Sequence, residues 1–272
     1  HIECSVMGMK YLGEQFDIHG GGQELILPHH ENEIAQSEAY TGKKPYVRYW
    51  LHTGYLTIRG EKMSKSLGNF ISIKDALKEY EADAIRLFIL SAHYRSPIDY
   101  SEEALRQASQ NLARLRNTLE DLYVMMGEAE SLEEERKELD KIQEAKRRFI
   151  EAMENDFNTP EALSHIYQLA RNANAYLASA SKLSKPALKT YYETILELSH
   201  ALGLLQDYVP GRKRLSAETD KLLQLLVEVR EELRKKRIYE LSDRIRDRLG
   251  ELGIMVEDTK HGPRIRLRAG GG

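Results

Sequence analysis

The sequence predicts an α/β fold at its beginning, followed by a longer part that is mostly α. In the first hundred residues, short apolar or aromatic runs are separated by glycines, which is typical of strands and turns. From Ser101 onward, leucines and alanines recur at helical spacing through several long charged segments. Two short alternating segments near the end indicate a small terminal α/β module. The predicted fold class is therefore α/β plus mostly α.

The α/β part is predicted to open on an extended segment and to form a strand over residues 16–19. Three glycines, 20–22, follow and are predicted to form a turn. A short apolar strand over 24–27 comes next. Pro28 then opens a helix, because its fixed φ and missing N–H suit the first helical position. Gly42 is the expected end of this helix.

Strand material over 46–58 leads into a loop rich in lysine and serine, between Gly60 and Gly68. Lys62 and Lys65 lie in this loop, and lysine is a mobile point charge that suits phosphate groups. Glycines at both ends would let the loop close over a ligand. From these residues alone, a solvated basic turn is the simpler interpretation.

The mostly α part is predicted to be a helix bundle, because its contacts are mostly local and its loops short. Ser101 is the expected N-cap of a long helix that Gly127 ends, and Thr159 is the expected N-cap of a later one. Pro210 and Gly211 mark a boundary before the terminal module. The predicted helices start at 75, cover 82–92, run from 101 to Gly127, and cover 132–153, 159–180 and 186–204.

The terminal module is basic. From Arg212 to the end the sequence has 16 Lys and Arg against 11 Asp and Glu, in a chain whose net charge is -3. This surplus indicates a polyanion partner. A basic helix over 238–252 precedes strands over 254–258 and 264–268, and the second strand would place three arginines on one face. A sheet edge guarded by charge is the plainer alternative. Residues 269–272 are expected to be an appended tail outside the fold.

The single cysteine excludes a disulfide framework and suits a reducing compartment. A membrane helix needs about 20 consecutive apolar residues, and the sequence has no such run. The amino end lacks the basic and apolar pattern of a leader. We therefore expect a cytoplasmic protein without a membrane partner.

One group of residues predicts a metal site. His29 and Glu33 are four residues apart on a predicted helix, where Cβ atoms lie about 5–6 Å from each other on one face. An imidazole and a carboxylate at this spacing can bind one ion, and Cys4 would add a thiolate to a tetrahedral zinc site. His30 is the poorer candidate because its neighbour four residues on is Ile34. The plainer alternatives are a charged surface helix and a small buried cysteine.

The glycines at 20–22 carry a second prediction. They follow a strand and precede the candidate metal helix, so their N–H groups would suit a nucleotide, which strand ends of open α/β sheets commonly bind. A tight turn alone is the alternative.

Residues 62–66 read Lys-Met-Ser-Lys-Ser and are identical to the KMSKS motif of class I aminoacyl-tRNA synthetases. Further segments resemble the cysteinyl-tRNA synthetase family in particular, and the similarity spans essentially all of residues 1–268. These segments are 1–5 (HIECS), 16–22 (FDIHGGG), 28–37 (PHHENEIAQS), 65–70 (KSLGNF), 93–97 (HYRSP), 156–160 (DFNTP) and parts of 253–259.

The resemblance implies the carboxy-terminal portion of such an enzyme. Its implied parts are the second half of a Rossmann-like catalytic domain (1–55), the KMSKS loop with a stem-contact region (56–100), a helical bundle that binds tRNA (101–210) and a small basic anticodon-binding module (211–268). The amino-terminal half with the HIGH motif is absent from this sequence and is expected as a partner. The fragment alone is expected to bind zinc weakly and to be inactive.

The resemblance also implies a reaction. Cysteine is activated with ATP and magnesium to cysteinyl-adenylate and then transferred to tRNA(Cys), by an enzyme expected to be monomeric. One zinc ion per chain would be held by Cys4, His29 and Glu33, with a second cysteine from the missing half, and would select the cysteine thiolate.

The remaining site residues implied by the family bind ATP. Lys65 would stabilise the phosphates, with Lys62 assisting. His19, Gly20, Gly21 and Gly22 would line the adenosine pocket. Glu24, one methylene longer, stands where the family often has an aspartate at the ribose.

Two alternative functions stay open at this point. A related ligase joins cysteine to an amino sugar and shares the catalytic motifs. A non-catalytic tRNA-binding fragment or split subunit would use only the helical and basic parts.

Overall fold

The structure is a computed structural model that describes residues 1–63, 71–129, 136–179, 182–211, 217–252, 254–259 and 262–267. It has the predicted α/β plus mostly α character. None of the helices within these ranges is both long and apolar enough to cross a membrane.

The first region is a parallel βαβ unit with a helix in front of it. Strand β1 pairs in parallel with β2, from Phe16 opposite Val47 to Gly22 opposite Thr53. The leading helix contacts α2, where Ser5 Oγ donates to Gln36 Oε1 at 3.3 Å. The elements are α1 (Ile2–Leu12), β1 (Phe16–Gly22), α2 (Glu31–Thr41) and β2 (Val47–Thr53).

Several sequence predictions for this region are wrong. The opening segment is helix α1, and the glycines at 20–22 continue β1 instead of turning. The segment predicted as a strand over 24–27 instead forms the helical turn Gln23–Leu25 and part of a second turn, Ile26–His30, inside which Leu27 is extended. Helix α2 begins at Glu31, after Pro28. A run of three apolar residues, 25–27, is too short for its periodicity to distinguish strand from helix. The helix end at Gly42 is confirmed, with a left-handed φ of 69°.

The next elements form a second small sheet and two helices. Within the described residues, β3 lies between β4, to which it is antiparallel, and β5, to which it is parallel. The helix α3 is capped by Ser72 Oγ, which accepts from the Asp75 N–H at 3.1 Å. The elements are β3 (Leu56–Ile58), β4 (Glu61–Lys62), α3 (Ile73–Glu79), α4 (Ala82–Leu90) and β5 (Ile98–Tyr100).

The helix bundle comprises α5 (Glu102–Glu128), α6 (Arg136–Glu154), α7 (Thr159–Ser179) and α8 (Lys185–Ala201). Their apolar stripes meet in one continuous core, which α4 also joins. Ser101 caps α5 as predicted, since its Oγ accepts from the Ala104 N–H at 3.2 Å.

Two details of the bundle differ from the sequence prediction. Gly127 lies inside α5 and does not end it, because the helix runs to Glu128. A glycine in a helix costs only about 1 kcal/mol, which the packing of a long helix offsets. Asn158, not Thr159, caps α7: its Oδ1 accepts from the Glu161 N–H at 3.3 Å.

The terminal module consists of α9 (Ala217–Lys235), α10 (Tyr239–Glu251), β6 (Ile254–Thr259) and β7 (Gly262–Leu267). The two strands pair antiparallel, with Ile254 opposite Leu267. A small core of Leu223, Val227, Leu249 and Val256 holds the module together. The predicted small α/β module is therefore present, while Arg268 lies outside the described residues.

Candidate functional site

The structure brings the three predicted metal ligands together. Cys4 lies on α1, His29 in the turn before α2, and Glu33 in the first turn of α2. One ligand atom from each lies within 4.8 Å of the other two. Packing of α1 against α2 achieves this approach, and Gly8 permits it because a Cβ there would lie 2.5 Å from the Tyr46 Oη.

The Glu33 carboxylate is the centre of this arrangement. Its side chain is 1% exposed, and His19 Nε2 donates to its Oε2 at 3.0 Å. The other oxygen, Oε1, is 2.8 Å from His29 Nε2 but accepts no hydrogen bond of acceptable geometry from any residue that the structure describes. A buried acceptor without a hydrogen bond costs about 1–3 kcal/mol, and more when it is charged. This oxygen therefore suits a cation.

The donor set of sulfur, nitrogen and oxygen fits zinc, which takes cysteine, histidine and carboxylate ligands. A second set, His19, His30 and Glu33, also has ligand atoms within 4.8 Å. It shares Glu33 with the first set but lacks a thiolate. Cys4, His29 and Glu33 are thus the better zinc set.

A layer of aromatic rings lies beside the ligands, and the sequence analysis missed it. His30 is 3% exposed and contacts Trp50, His19 and His52, with ring centroids 4.8–5.0 Å apart. Burial, with the neighbouring His19, lowers the pKa of His30. Burial, with Arg95, lowers the pKa of His52. Both imidazoles are therefore favoured as neutral rings. Only the parallel pairing of β1 with β2 places His19 opposite Trp50, so no local pattern in the sequence indicated this layer.

The glycines of β1 make room for the site instead of turning the chain. A Cβ on Gly21 would lie 2.9 Å from the His30 ring, and one on Gly22 would collide with the Glu24 carboxylate. A Cβ on Gly20 would lie 3.3 Å from the Leu51 carbonyl oxygen. Side chains therefore approach this strand end closely. The role of its N–H groups in binding a nucleotide stays a prediction.

The predicted catalytic lysines are only partly described. Lys62 lies in β4, where its backbone pairs with Thr57, and Lys65 lies outside the described residues. The turn before Lys62 is held by Asp99, whose Oδ1 accepts from the Gly60 N–H at 2.9 Å and from Thr57 Oγ1 at 2.7 Å. These two hydrogen bonds lower the pKa of Asp99. The start of the lysine loop is thus anchored to the sheet.

Comparison with known proteins agrees with this geometry. Residues 1–110 match the family model of the tRNA synthetases class I (C) catalytic domain, and residues 148–206 match that of the DALR domain. A cysteine–tRNA ligase of Thermococcus onnurineus (strain NA1) is 50% identical over 266 residues, which cover 96% of this chain and 55% of the relative. One of Heliobacterium modesticaldum (strain ATCC 51547 / Ice1) is 48% identical over 275 residues, covering 97% and 56%. The chain spans about half the length of these relatives.

Solved structures share the fold. A leucyl-tRNA synthetase (LeuRS) of Agrobacterium radiobacter K84, in a ternary complex with tRNA and LeuAMS, matches with a TM-score of 0.55 and 21% identity, over 68% of this chain and 25% of its own. Methionyl-tRNA synthetase of Mycobacterium tuberculosis, in complex with methionyl-adenylate, matches with a TM-score of 0.54 and 23% identity, over 78% and 44%. The family models and the curated relatives agree: the first 110 residues match the class I (C) catalytic domain, and almost the whole chain is similar to cysteine–tRNA ligases.

Proposed function

We propose that this chain is the carboxy-terminal portion of a cysteine–tRNA ligase. The whole protein would activate cysteine with ATP to cysteinyl-adenylate and transfer the cysteinyl group to tRNA(Cys), as a monomer in the cytoplasm. The observation that carries the proposal is the convergence of Cys4, His29 and Glu33 around a buried carboxylate oxygen. The 50% identity to enzymes of that name supports it.

The three residues would hold one zinc ion per chain, with the fourth ligand coming from the preceding half of the protein. A bound zinc ion supplies a Lewis acid that keeps a thiol deprotonated at neutral pH. Serine would be rejected because its hydroxyl is a harder and less acidic ligand than a thiol. His19 orients the Glu33 carboxylate through its 3.0 Å hydrogen bond, and such supporting contacts tune the ligands of a metal.

The nucleotide would be ATP with magnesium, bound at the end of β1. His19, the glycines at 20–22 and Glu24 would line its adenosine side. Lys65, with Lys62 assisting, would stabilise the charge that develops on the phosphates during adenylate formation. A cation placed at such a developing charge contributes several kcal/mol. The anchored start of the lysine loop at Gly60 supports this role.

The preceding half of the relatives would pack against residues 1–55 and complete the sheet. Purely parallel sheets are normally covered by other elements on both faces. Within the described residues, β1 and β2 form a parallel sheet of two strands. Apolar side chains around this pair are exposed, as an unfilled interface requires. They include Ile2, Val6, Met7, Tyr11, Leu12, Ile18, Leu27 and Tyr49.

The rest of the chain would contact RNA. Residues 56–100 would form the stem-contact region, 101–210 the tRNA-binding bundle and 211–268 the anticodon-binding module. The surplus of positive charge after Arg212 supports the last assignment, because phosphate contacts supply much of the affinity for nucleic acid.

The test combines this chain with the amino-terminal half of a cysteine–tRNA ligase relative. Cysteine-dependent ATP–pyrophosphate exchange and charging of tRNA(Cys) are expected from the mixture but not from this chain alone. Cys4→Ala and Lys65→Ala should each abolish the exchange. Exchange followed by transfer to an amino sugar instead of tRNA would identify the related ligase. Binding of tRNA without exchange, and unaffected by either substitution, would identify a non-catalytic RNA-binding fragment.

A further inference from the structure

Residues 93–97 form a loop that contacts the candidate site region on one side and the helix bundle on the other. We call this loop the junction loop. On the site side, the Gly54 N–H donates to the Tyr94 carbonyl oxygen at 2.7 Å, and Gln23 Nε2 donates to the Arg95 carbonyl oxygen at 2.7 Å. A Cβ on Gly54 would collide with the Ser96 carbonyl, so the two backbones are in tight contact. The junction loop thus holds Gln23, the residue that follows Gly22.

On the bundle side, the Tyr94 ring lies against the Phe157 ring, with 6.4 Å between the centroids. The loop also contacts the Asp156 carboxylate. This carboxylate accepts hydrogen bonds from Tyr94 Oη at 2.7 Å, from Arg95 Nε at 2.6 Å and from Arg95 Nη2 at 3.1 Å. His93 Nε2 lies 3.8 Å away. A bidentate arginine–carboxylate pair fixes the orientation of the two side chains as well as the distance between them. The Arg95 guanidinium, with the Tyr94 hydroxyl, lowers the pKa of Asp156.

The backbone that presents Asp156 is unusual. Asp156 and Phe157, between α6 and α7, have φ values of 56° and 52° in the left-handed region. This conformation is rare and strained for a bulky residue such as phenylalanine. Hydrogen bonds hold it in place, from the Phe157 N–H to Met153 O and from the Asn158 N–H to Ala152 O, both at 3.1 Å. The corner therefore keeps a strained geometry that aims Asp156 at the junction loop.

The Asp156–Arg95 pair matters for its geometry and not for its contribution to stability. Asp156 and Arg95 are 41% and 52% exposed, so the pair contributes little to stability. Its effect is geometric, because it joins two parts of the chain 61 residues apart. The Arg147–Glu151 pair near the same end of α6, by contrast, joins a helix only to itself.

We infer that Asp156 is a positioning residue that sets the nucleotide side of the candidate site from the helix bundle. Its carboxylate holds the Arg95 side chain, and the Arg95 carbonyl oxygen accepts a hydrogen bond from the Gln23 side chain. Because Gln23 lies between Gly22 and Glu24, this hydrogen bond holds that turn in place. This inference rests on the proposed function, in which that turn lines the adenosine pocket. This side chain thereby adds a direct link between the bundle and the pocket, beside the connection through α4.

The first test is Asp156→Asn in the full-length protein. Asparagine tolerates the left-handed conformation and can still accept from Tyr94, but it loses the charged pair with Arg95. We expect the KM for ATP in cysteine-dependent pyrophosphate exchange to rise about tenfold, since small misplacements of binding groups have large kinetic effects. The KM for cysteine should stay unchanged, because the junction loop has no described contact with Cys4, His29 or Glu33.

The matched control is Glu151→Gln, which removes the exposed pair with Arg147 and leaves the junction loop intact. It should not change either KM. Asp156→Glu, which keeps the charge, should restore part of the ATP affinity. A merely structural role would instead lower the melting temperature of Asp156→Asn and leave the KM for ATP unchanged, or raise both KM values together. Either result would overturn the inference.

The second test measures whether the effects of substituting Asp156 and Gln23 depend on each other. If Asp156 acts through Arg95 and Gln23, the double variant Asp156→Asn/Gln23→Ala should be no worse than the more affected single variant, because residues in one network are not additive. Multiplying effects, about a hundredfold in total, would contradict the proposed route.

A substrate-free measurement separates this inference from the proposed function. Asp156→Asn should speed amide hydrogen exchange at residues 23–25, while Glu151→Gln should not. If the native protein shows no exchange reaction with cysteine, the proposed function fails, yet the hydrogen-exchange comparison still decides the role of Asp156. Equal protection at 23–25 in all three proteins would refute that role.

Discussion

The helix bundle buries mainly apolar side chains, whereas the region that holds the candidate site buries mainly polar ones. The bundle shares a continuous apolar core in which Leu112, Leu119 and Ile166 are fully buried. Among the described residues of the first 63, the buried apolar side chains are Tyr46 and Val47, and the other buried ones are polar: Ser5, His30, Glu33 and Ser37.

This difference shows where each region obtains its stability. Burial of apolar surface is the main favourable term in folding, and the bundle supplies its own. The site region instead orders a carboxylate and several imidazoles, which cost free energy to desolvate. Its apolar surface faces outward, so its stability depends on what covers that surface and on what binds the carboxylate.

The largest expected effect is on the bundle core. Leu112→Ala removes a side chain that is 0% exposed and should lower the free energy of unfolding by about 2–5 kcal/mol. Ile18→Ala, at a side chain that is 63% exposed, should change it by less than about 0.5 kcal/mol. Urea unfolding of this chain, followed by circular dichroism, compares the two. Equal losses would mean that the two regions do not differ as described.

A second comparison tests the zinc site proposed above. In the complete protein, Glu33→Gln is expected to weaken the proposed zinc binding by about a hundredfold or more, because the buried carboxylate loses its charge. Glu31→Gln is the control, since Glu31 is exposed in the same helical turn. Competition with a chelator measures both affinities. Zinc held equally well by the two variants would exclude Glu33 as a ligand.

An alkaline titration tests the bundle once more. Burial raises the pKa of Tyr167 to about 12. Because the folded pKa lies above the unfolded value of 10.0, the contribution of Tyr167 to stability is complete below pH 10 and is lost as the pH rises through about 12. Tyr167→Phe should remove this loss, which is at most about 2.7 kcal/mol for two pH units. Unfolding curves from pH 9 upward would show it as a flatter decline. An unchanged decline would contradict the burial of this hydroxyl.

The smallest expected effect concerns a helix cap. Ser101→Ala should destabilise the bundle by about 1 kcal/mol, because the Ala104 N–H loses its acceptor. Ser109→Ala, on the same helix, should be nearly neutral, since Ser109 Oγ only donates to a carbonyl four residues back. Thermal unfolding of the two variants gives the comparison. Equal melting temperatures would mean that the Ser101 cap does not stabilise the bundle.

Sequence reasoning succeeded where a pattern of neighbouring residues repeats over a long segment. The bundle helices were predicted because their stripes repeat over many turns, and Ser101 was identified by its position before such a stripe. The same reasoning failed at residues 24–27, where a short apolar run forms helical turns instead of a strand. At Gly127 the prediction missed the end of the helix by one residue, since α5 ends at Glu128.

The candidate site divides in the same way. The approach of His29 to Glu33 follows from their spacing of four residues, and Cys4 was added because a thiolate completes a typical set of zinc ligands. The bond from His19 to Glu33 and the contact of His30 with His52 depend on how β1, α2 and β2 pack together. No spacing rule covers residues 14 or 22 positions apart on different elements.

By itself the sequence determined the fold class, the helical stripes of the bundle and the family resemblance, and it predicted His29 and Glu33 as ligands, because periodicity, spacing and motif are properties of neighbours along the chain. Only the tertiary structure decided that Glu33 would be buried with one oxygen lacking a hydrogen bond, that three glycines would make room for side chains, and that Asp156 would hold Arg95. These features arise from surfaces that meet only after the chain has folded, where close packing leaves each side chain one set of neighbours.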